Sequence, residues 1–201
     1  DGVSARYYNP GDKVPANYQL LLTFKDESFL VFTVAMYGFI SAYPDAVIDN
    51  KYYTISRESI SPLSDAYTEA EFEKLLASAK KTLTAKALLA TEQRIPGVGN
   101  GVTQDILFNA GIHPKQKVID LSDGQKGGLF KSLKDTLMAM TSGRGRDTQT
   151  DLYGNEGGYK TILSSKTWKN PCPRCGSVIV KEAYLGGSVY YCSECQKIRK
   201  T

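Results

Sequence analysis

Apolar positions along the chain change their period once and then change back. Up to about residue 56 they come in short runs: YQLLLTF at 18–24 and FLVFTV at 29–34 are separated by the polar turn KDES, and KYYTIS follows at 51–56. Short β-rich runs bounded by turn formers predict strands, so residues 1–57 are expected to be the closing part of a β-domain. From SPLSDAYTEAEFEKLLASAKK onward the spacing is helical, with Phe72, Leu75 and Leu76 on one face and Ser64 or Asp65 as candidate N-caps. Three more helices are predicted over 84–91, 101–111 and 123–141, which makes 58–145 a helical domain. Residues 142–170 are rich in Gly, Ser, Thr and Asn and read as a linker or mobile loop, placed at 146–169 between domains. Beyond it, SVIVKEAY and GGSVYYC flank Gly186-Gly187 as a β-hairpin, the core of a last domain at 170–201. The fold class is therefore α+β, with more than one domain.

Composition narrows the picture. No stretch approaches the apolar length that spans a bilayer, and 41% hydrophobic with 23% charged residues is the make-up of a soluble globular chain, expected in the cytoplasm. The start, DGVSARYYNP, has neither a basic and apolar leader nor an initiator Met, which raises the expectation that a segment precedes it. The net charge of +4 is uneven: residues 160–201 carry eight Lys or Arg against two acids, and residues 1–159 carry 17 against 19. A basic tail concentrates near polyanions, although a solvated surface looks the same.

All four cysteines lie in that tail. Cys172 and Cys175 form one C-x2-C pair, Cys192 and Cys195 a second, and sixteen residues separate them. This is the spacing of a four-cysteine zinc site of ribbon or hairpin type. Two disulfides would need an oxidising compartment that no leader announces, and a redox pair would need a βαβ context that is missing. Four thiolates close the tetrahedron, so one zinc ion here would be structural.

Two loops carry candidate chemistry. EQRIPGVGN runs through Gly99 into Asn100 at a helix start, where backbone N–H groups can meet a phosphate; the bland alternative is a helix–turn–helix unit whose glycines permit close packing. Arg144, Arg146 and Lys160 in the Gly-rich stretch suit phosphate or base contact, as they would suit a solvated linker.

PGVGNGVTQDILFNAGIHP combined with a C-terminal four-cysteine finger resembles the formamidopyrimidine-DNA glycosylase and endonuclease VIII family of repair enzymes, over the whole chain. The resemblance implies a partial N-terminal β-sandwich, a helix–two-turn–helix domain and a zinc-finger hairpin. It further implies a monomer that grips double-stranded DNA bearing a damaged base or an abasic site. Asn100 falls on the family's phosphate-binding asparagine, and Lys86 on a basic position of the preceding helix. His113 is expected to pack its turn. VAMYGFI occupies the place of the family's loop that fills the gap left by an everted base, with Tyr37 to stack and Met36 as a wedge; the formamidopyrimidine branch carries Arg where Met36 stands. The hairpin arginine aligns with Gly187, so that contact is absent or comes from Lys181, Arg144 or Arg146. The family's nucleophile is an N-terminal proline followed by glutamate, and the chain begins at Asp1. Base excision by a glycosylase and AP lyase is thus expected of the parent protein, with this chain inactive alone. The alternatives are a non-catalytic module for distorted or abasic DNA, and a zinc-ribbon protein adaptor. The GRGRDTQTDLYGNEGGYKT loop at 143–161 departs from the usual formamidopyrimidine pattern and leans toward the endonuclease VIII-like branch.

Overall fold

The computed structural model describes residues 2–35, 38–44 and 47–199. The chain divides into two compact units, one made of residues 1–48 and 143–160, the other of 49–142 and 161–201.

In the first unit, β1 (Val3–Tyr8), β2 (Leu20–Thr23) and β3 (Phe29–Val34) form an antiparallel sheet in the order β1-β3-β2. Val3 pairs with Val34 and Tyr8 with Phe29, and their rings at 29 and 8 stack with centroids 4.9 Å apart. Phe29 and Val31 bury one face of the sheet, as period-2 alternation demands. Residues 143–160, expected as a linker, instead fold back within this unit. The Tyr7 N–H donates to Leu152 O at 2.8 Å, and the two arms of the excursion pair where Gly158 N meets Gly143 O at 2.7 Å and Tyr159 N meets Gly145 O at 3.0 Å. Glycine is required at this crossing: a Cβ on Gly157 would overlap the Gly145 backbone.

The second unit opens with a correction. Residues 51–56, expected as a strand, lie in helix α1 (Lys51–Glu58). Asn50 caps it, its side-chain oxygen accepting from Tyr52 N at 3.0 Å and Tyr53 N at 3.1 Å, and this local cap overrides the β preference of Tyr-Tyr-Thr-Ile. Helix α2 (Glu69–Ala77) is capped by Thr68 rather than by Ser64 or Asp65, and Glu69 and Glu71 in its first turn suit the helix dipole. Ser64 is instead used in the preceding turn, where its hydroxyl accepts from Ala66 N. Helices α3 (Ala85–Ala90), α4 (Asn100–Ala110) and α5 (Asp123–Ser142) follow, close to the expected spans. They share a core in which Phe72, Leu88, Leu89, Ile106, Leu129 and Leu133 are fully buried.

The chain then runs through 161–178 into β4 (Ile179–Tyr184) and β5 (Gly187–Cys192), an antiparallel hairpin with Ile179 opposite Cys192 and Tyr184 opposite Gly187. Its two-residue turn has positive φ at both Leu185 (+52°) and Gly186 (+72°), the type I′ geometry that matches strand twist. A second small core, Phe108, Leu163, Cys172, Ile179, Tyr190 and Cys192, joins the hairpin to α4. No helix among the described residues is long and apolar enough to cross a membrane.

Candidate nucleic-acid interface and metal centre

Four thiols converge at the base of the hairpin. The Sγ atoms of Cys172, Cys175, Cys192 and Cys195 all lie within 4.8 Å of one another, with Cys172–Cys195 at 3.9 Å and Cys175–Cys192 at 3.5 Å. Bonds of about 2.3 Å to one tetrahedral ion set sulfur–sulfur edges of roughly 3.8 Å, so the cluster fits a single metal ion. Local backbone bonds build the knuckles: Gly176 N donates to Cys172 O at 2.8 Å, and Gln196 N to Cys192 O at 2.9 Å. Hydrogen bonds from the Ser177 side chain and backbone bring the Cys175 thiol down to about 6, while burial pushes Cys195 up to about 12 and Cys192 upward. Four thiolates this close repel one another, and a bound cation is what would let all four ionise.

Helix α4 is buried continuously from Thr103 to Phe108, so its polar residues there must find partners inside. Gln104 donates to Ser188 O at 3.1 Å and accepts from Tyr190 N at 3.1 Å, continuing the edge of β5. Gln196 accepts from Cys192 N and donates to Ile112 O, both at 2.9 Å. Gln116 accepts from Arg199 N at 2.8 Å and donates to Arg199 O at 2.9 Å. Asp105, with no exposed surface, accepts from Ile162 N at 3.0 Å and Leu163 N at 2.8 Å, holding the segment that leads into the finger. Arg174 lies over the Phe108 ring at 4.6 Å. None of these residues was expected from sequence, because their burial shows only in the folded chain.

The N-terminus of α4 lies beside the hairpin. Its N-cap, Gly99, provides no side-chain acceptor, so the first-turn N–H groups are not capped from within. Asn100 is exposed and donates one amide N–H to Ser188 O at 3.2 Å, which leaves its second amide N–H to be offered elsewhere. Gly187 faces it closely: an added Cβ would lie 3.1 Å from Asn100 Nδ2.

Other expected site residues lie elsewhere. Lys86 is 1% exposed, its ammonium donating to Tyr184 O, and desolvation lowers its pKa while Glu182 opposes the shift. Its charge is thus spent inside. Lys181 is exposed on β4, its Nζ 5.2 Å from the Trp168 ring and 6.0 Å from Tyr190. Arg144 and Lys160 are exposed in the first unit, whereas Arg146 there is 5% exposed and its Nε bonds Gln149 at 3.3 Å. Met36 and Tyr37 lie outside the described residues. The first unit also holds a cleft of about 700 Å³ between Gly2–Ala5, Thr33 and Thr148–Leu152.

His113 packs its turn as expected, accepting from Lys115 N at 3.0 Å through Nδ1, with its ring centroid 4.3 Å from that of Tyr191. Burial lowers its pKa from 6.5, Lys115 adds to the shift and Glu182 opposes it. The unfolded chain therefore takes up this proton first, and stability should fall as pH drops through 6.5 toward the lower folded value. A melting series from pH 8 to 5 should show this limb, and His113→Gln should flatten it; an equal limb in the variant would assign it to other groups.

Within the second unit, a helical platform with an uncapped helix start is thus fastened to a hairpin over a four-thiol cluster that could hold a metal ion. No protein-family model matches the chain. It is 32% identical over 139 residues to the formamidopyrimidine-DNA glycosylase of Carboxydothermus hydrogenoformans, covering 68% of this chain and 52% of that one. It is 29% identical over 203 residues to the same-named protein of Listeria innocua, with coverages of 96% and 71%. Among solved structures, a Lactococcus lactis Fpg complex with DNA containing an abasic site superposes with a TM-score of 0.70 at 20% identity, covering 98% of this chain and 72% of that one. The MutM (Fpg) protein of Thermus thermophilus gives 0.69 at 20% identity, with coverages of 99% and 77%. The chain belongs to the formamidopyrimidine-DNA glycosylase and endonuclease VIII family. These relatives carry the formamidopyrimidine name, not that of the endonuclease VIII-like branch to which the loop sequence leaned. The chain spans about half the length of the first curated relatives it matches.

Proposed function

We propose that this chain is the DNA-gripping part of a base excision repair glycosylase and AP lyase, acting on oxidatively damaged duplex DNA where the genome is stored. The observation that carries the reading is the uncapped α4 N-terminus with Asn100 held against the hairpin, in a family where the Lactococcus lactis neighbour was solved on abasic-site DNA. The second amide N–H of Asn100 and the first-turn N–H groups would meet one phosphate. Gly99 lets the backbone approach, and the exposed Arg144, Lys160 and Lys181 would add diffuse attraction, with Met36 and Tyr37 contacting the gap in the stack. Lys86 would contribute by fixing the hairpin through Tyr184 O, and Arg146 by holding its loop. The four cysteines would hold one structural zinc, with no open position and no part in bond breaking.

Asn100→Ala should weaken binding by about 1–3 kcal/mol on every sequence, the cost of a charge-assisted hydrogen bond, without moving Tm by more than a degree or two. Fluorescence anisotropy on a duplex carrying a tetrahydrofuran abasic analogue reads this directly; unchanged affinity would sink the assignment of Asn100. The reading gives strand chemistry to the parent protein as a whole. A borohydride-trapped adduct formed on abasic DNA by these 201 residues alone would overturn that division.

A further inference from the structure

The hairpin turn is clamped on both flanks and strained at its tip. On the β4 side, Tyr184 is fixed three ways: its hydroxyl bonds Thr84 Oγ1 at 3.1 Å, its carbonyl accepts from Lys86, and its ring sits beneath the ammonium groups of Lys86 and Lys115 at 5.6 and 5.3 Å. Lys115 is in turn held by Glu182 at 2.9 Å. On the β5 side, Ser188 O receives both Asn100 and Gln104. Between these anchors stand Leu185, Gly186 and Gly187, and only Leu185 has a side chain.

That side chain is in the wrong place for stability. The first central position of a type I′ turn asks for Asn, Asp or Gly, because φ is positive; Leu185 occupies it at φ +52° and is 49% exposed. Nothing buries it in return. A bulky residue held left-handed by an over-determined frame, and left in solvent, points to a contact that the free protein does not make.

The geometry points to Leu185 as an apolar wedge for a base step of duplex DNA, an inference that rests on the DNA-binding reading above. The occupant follows from the surroundings. The knob stands on the basic part of the chain, beside the α4 N-terminus and Asn100, where a phosphate would lie. Gly186 and Gly187 leave no bulk to keep a backbone away from that point. A backbone anchored there brings the neighbouring base edges against the tip, and apolar side chains entering from the minor groove unstack base steps, most cheaply where stacking is already broken. Leu185 would thus favour duplex with an abasic gap over intact duplex through shape, with no charge at the tip.

The test uses the whole chain, its Leu185→Asn and Leu185→Met variants, and two duplexes of one sequence, one intact and one with a tetrahydrofuran site flanked by 2-aminopurine. Wild type should prefer the abasic duplex and brighten 2-aminopurine on binding. Leu185→Asn, which suits the turn, should melt at the same temperature or higher, keep the salt dependence of binding, lose roughly tenfold in preference for the abasic duplex, and leave 2-aminopurine dim. Leu185→Met, still apolar, should behave as wild type. If Leu185→Asn keeps both preference and brightening, the wedge is wrong while the DNA reading stands. If wild type binds neither duplex, the DNA reading falls and the wedge with it.

Discussion

If the thiol cluster holds zinc as proposed, replacing Cys172 by Ser, or treating the protein with a strong chelator, should shift the emission of Trp168, the single tryptophan, to longer wavelength while leaving most of the far-ultraviolet helical signal in place. Cys172 belongs to two structures at once. It is 3% exposed in the small core with Phe108, Ile179 and Tyr190, against which Trp168 packs, and its sulfur is one corner of the thiol cluster. Zinc binding in finger peptides is worth about 10–16 kcal/mol at neutral pH, and that binding energy is folding energy. Its loss would leave a two-stranded hairpin that is marginal alone, while the core of α2 to α5 does not depend on it. The measurement pairs fluorescence with metal content. A Cys172→Ser protein that keeps one ion per chain and unshifted emission would contradict the four-thiolate centre.

The second large effect should come from Asp105→Ala. Its carboxylate satisfies two backbone N–H groups, and each would be left buried without a partner at about 1–3 kcal/mol. We expect about 3–5 kcal/mol in all, or on the order of 10 °C in Tm for a chain of this size. Asp105→Asn should lose roughly half as much, since its amide oxygen can keep one bond and its NH2 faces the other donor. Thermal melts of the three proteins decide it. An Asp105→Ala protein within 1 °C of wild type would mean that the segment at 161–163 is held by something else.

How much of this was legible depended on whether the cause was local. The cysteine spacing, the three helices from 84 onward and the Gly-containing hairpin turn are written in neighbouring residues, and the structure repeats them within a residue or two. Helix α1 was misread because the β preference of KYYTIS outweighs its cap in a reading by propensity, yet Asn50 sits immediately before it as a signal that was there to use. The fold-back of 143–160 could not be seen: glycines that allow a close backbone crossing and glycines that allow flexibility are the same residue. Gln104, Gln116 and Gln196 are harder still, because glutamine is ordinarily a surface residue and only the partner's backbone shows why these are inside. The place of Asn100 at the start of α4 was legible from its turn, while the inward placement of Lys86 and Arg146 is a tertiary outcome.

The three glutamines have a consequence for anyone who would exchange fingers between relatives. A joint made of interlocking apolar side chains tolerates a new partner of similar volume. This joint also matches amide to backbone at fixed positions: Gln104 at Ser188 and Tyr190, Gln116 at Arg199, and Gln196 of the finger at Ile112 O of the platform. A transplanted finger one residue longer between Gln196 and Arg199 would keep its four cysteines in register and still miss the Gln116 amide with its backbone. Compatibility between platform and finger is therefore a question of counting residues, and chimeras should succeed or fail by loop length before they do so by similarity.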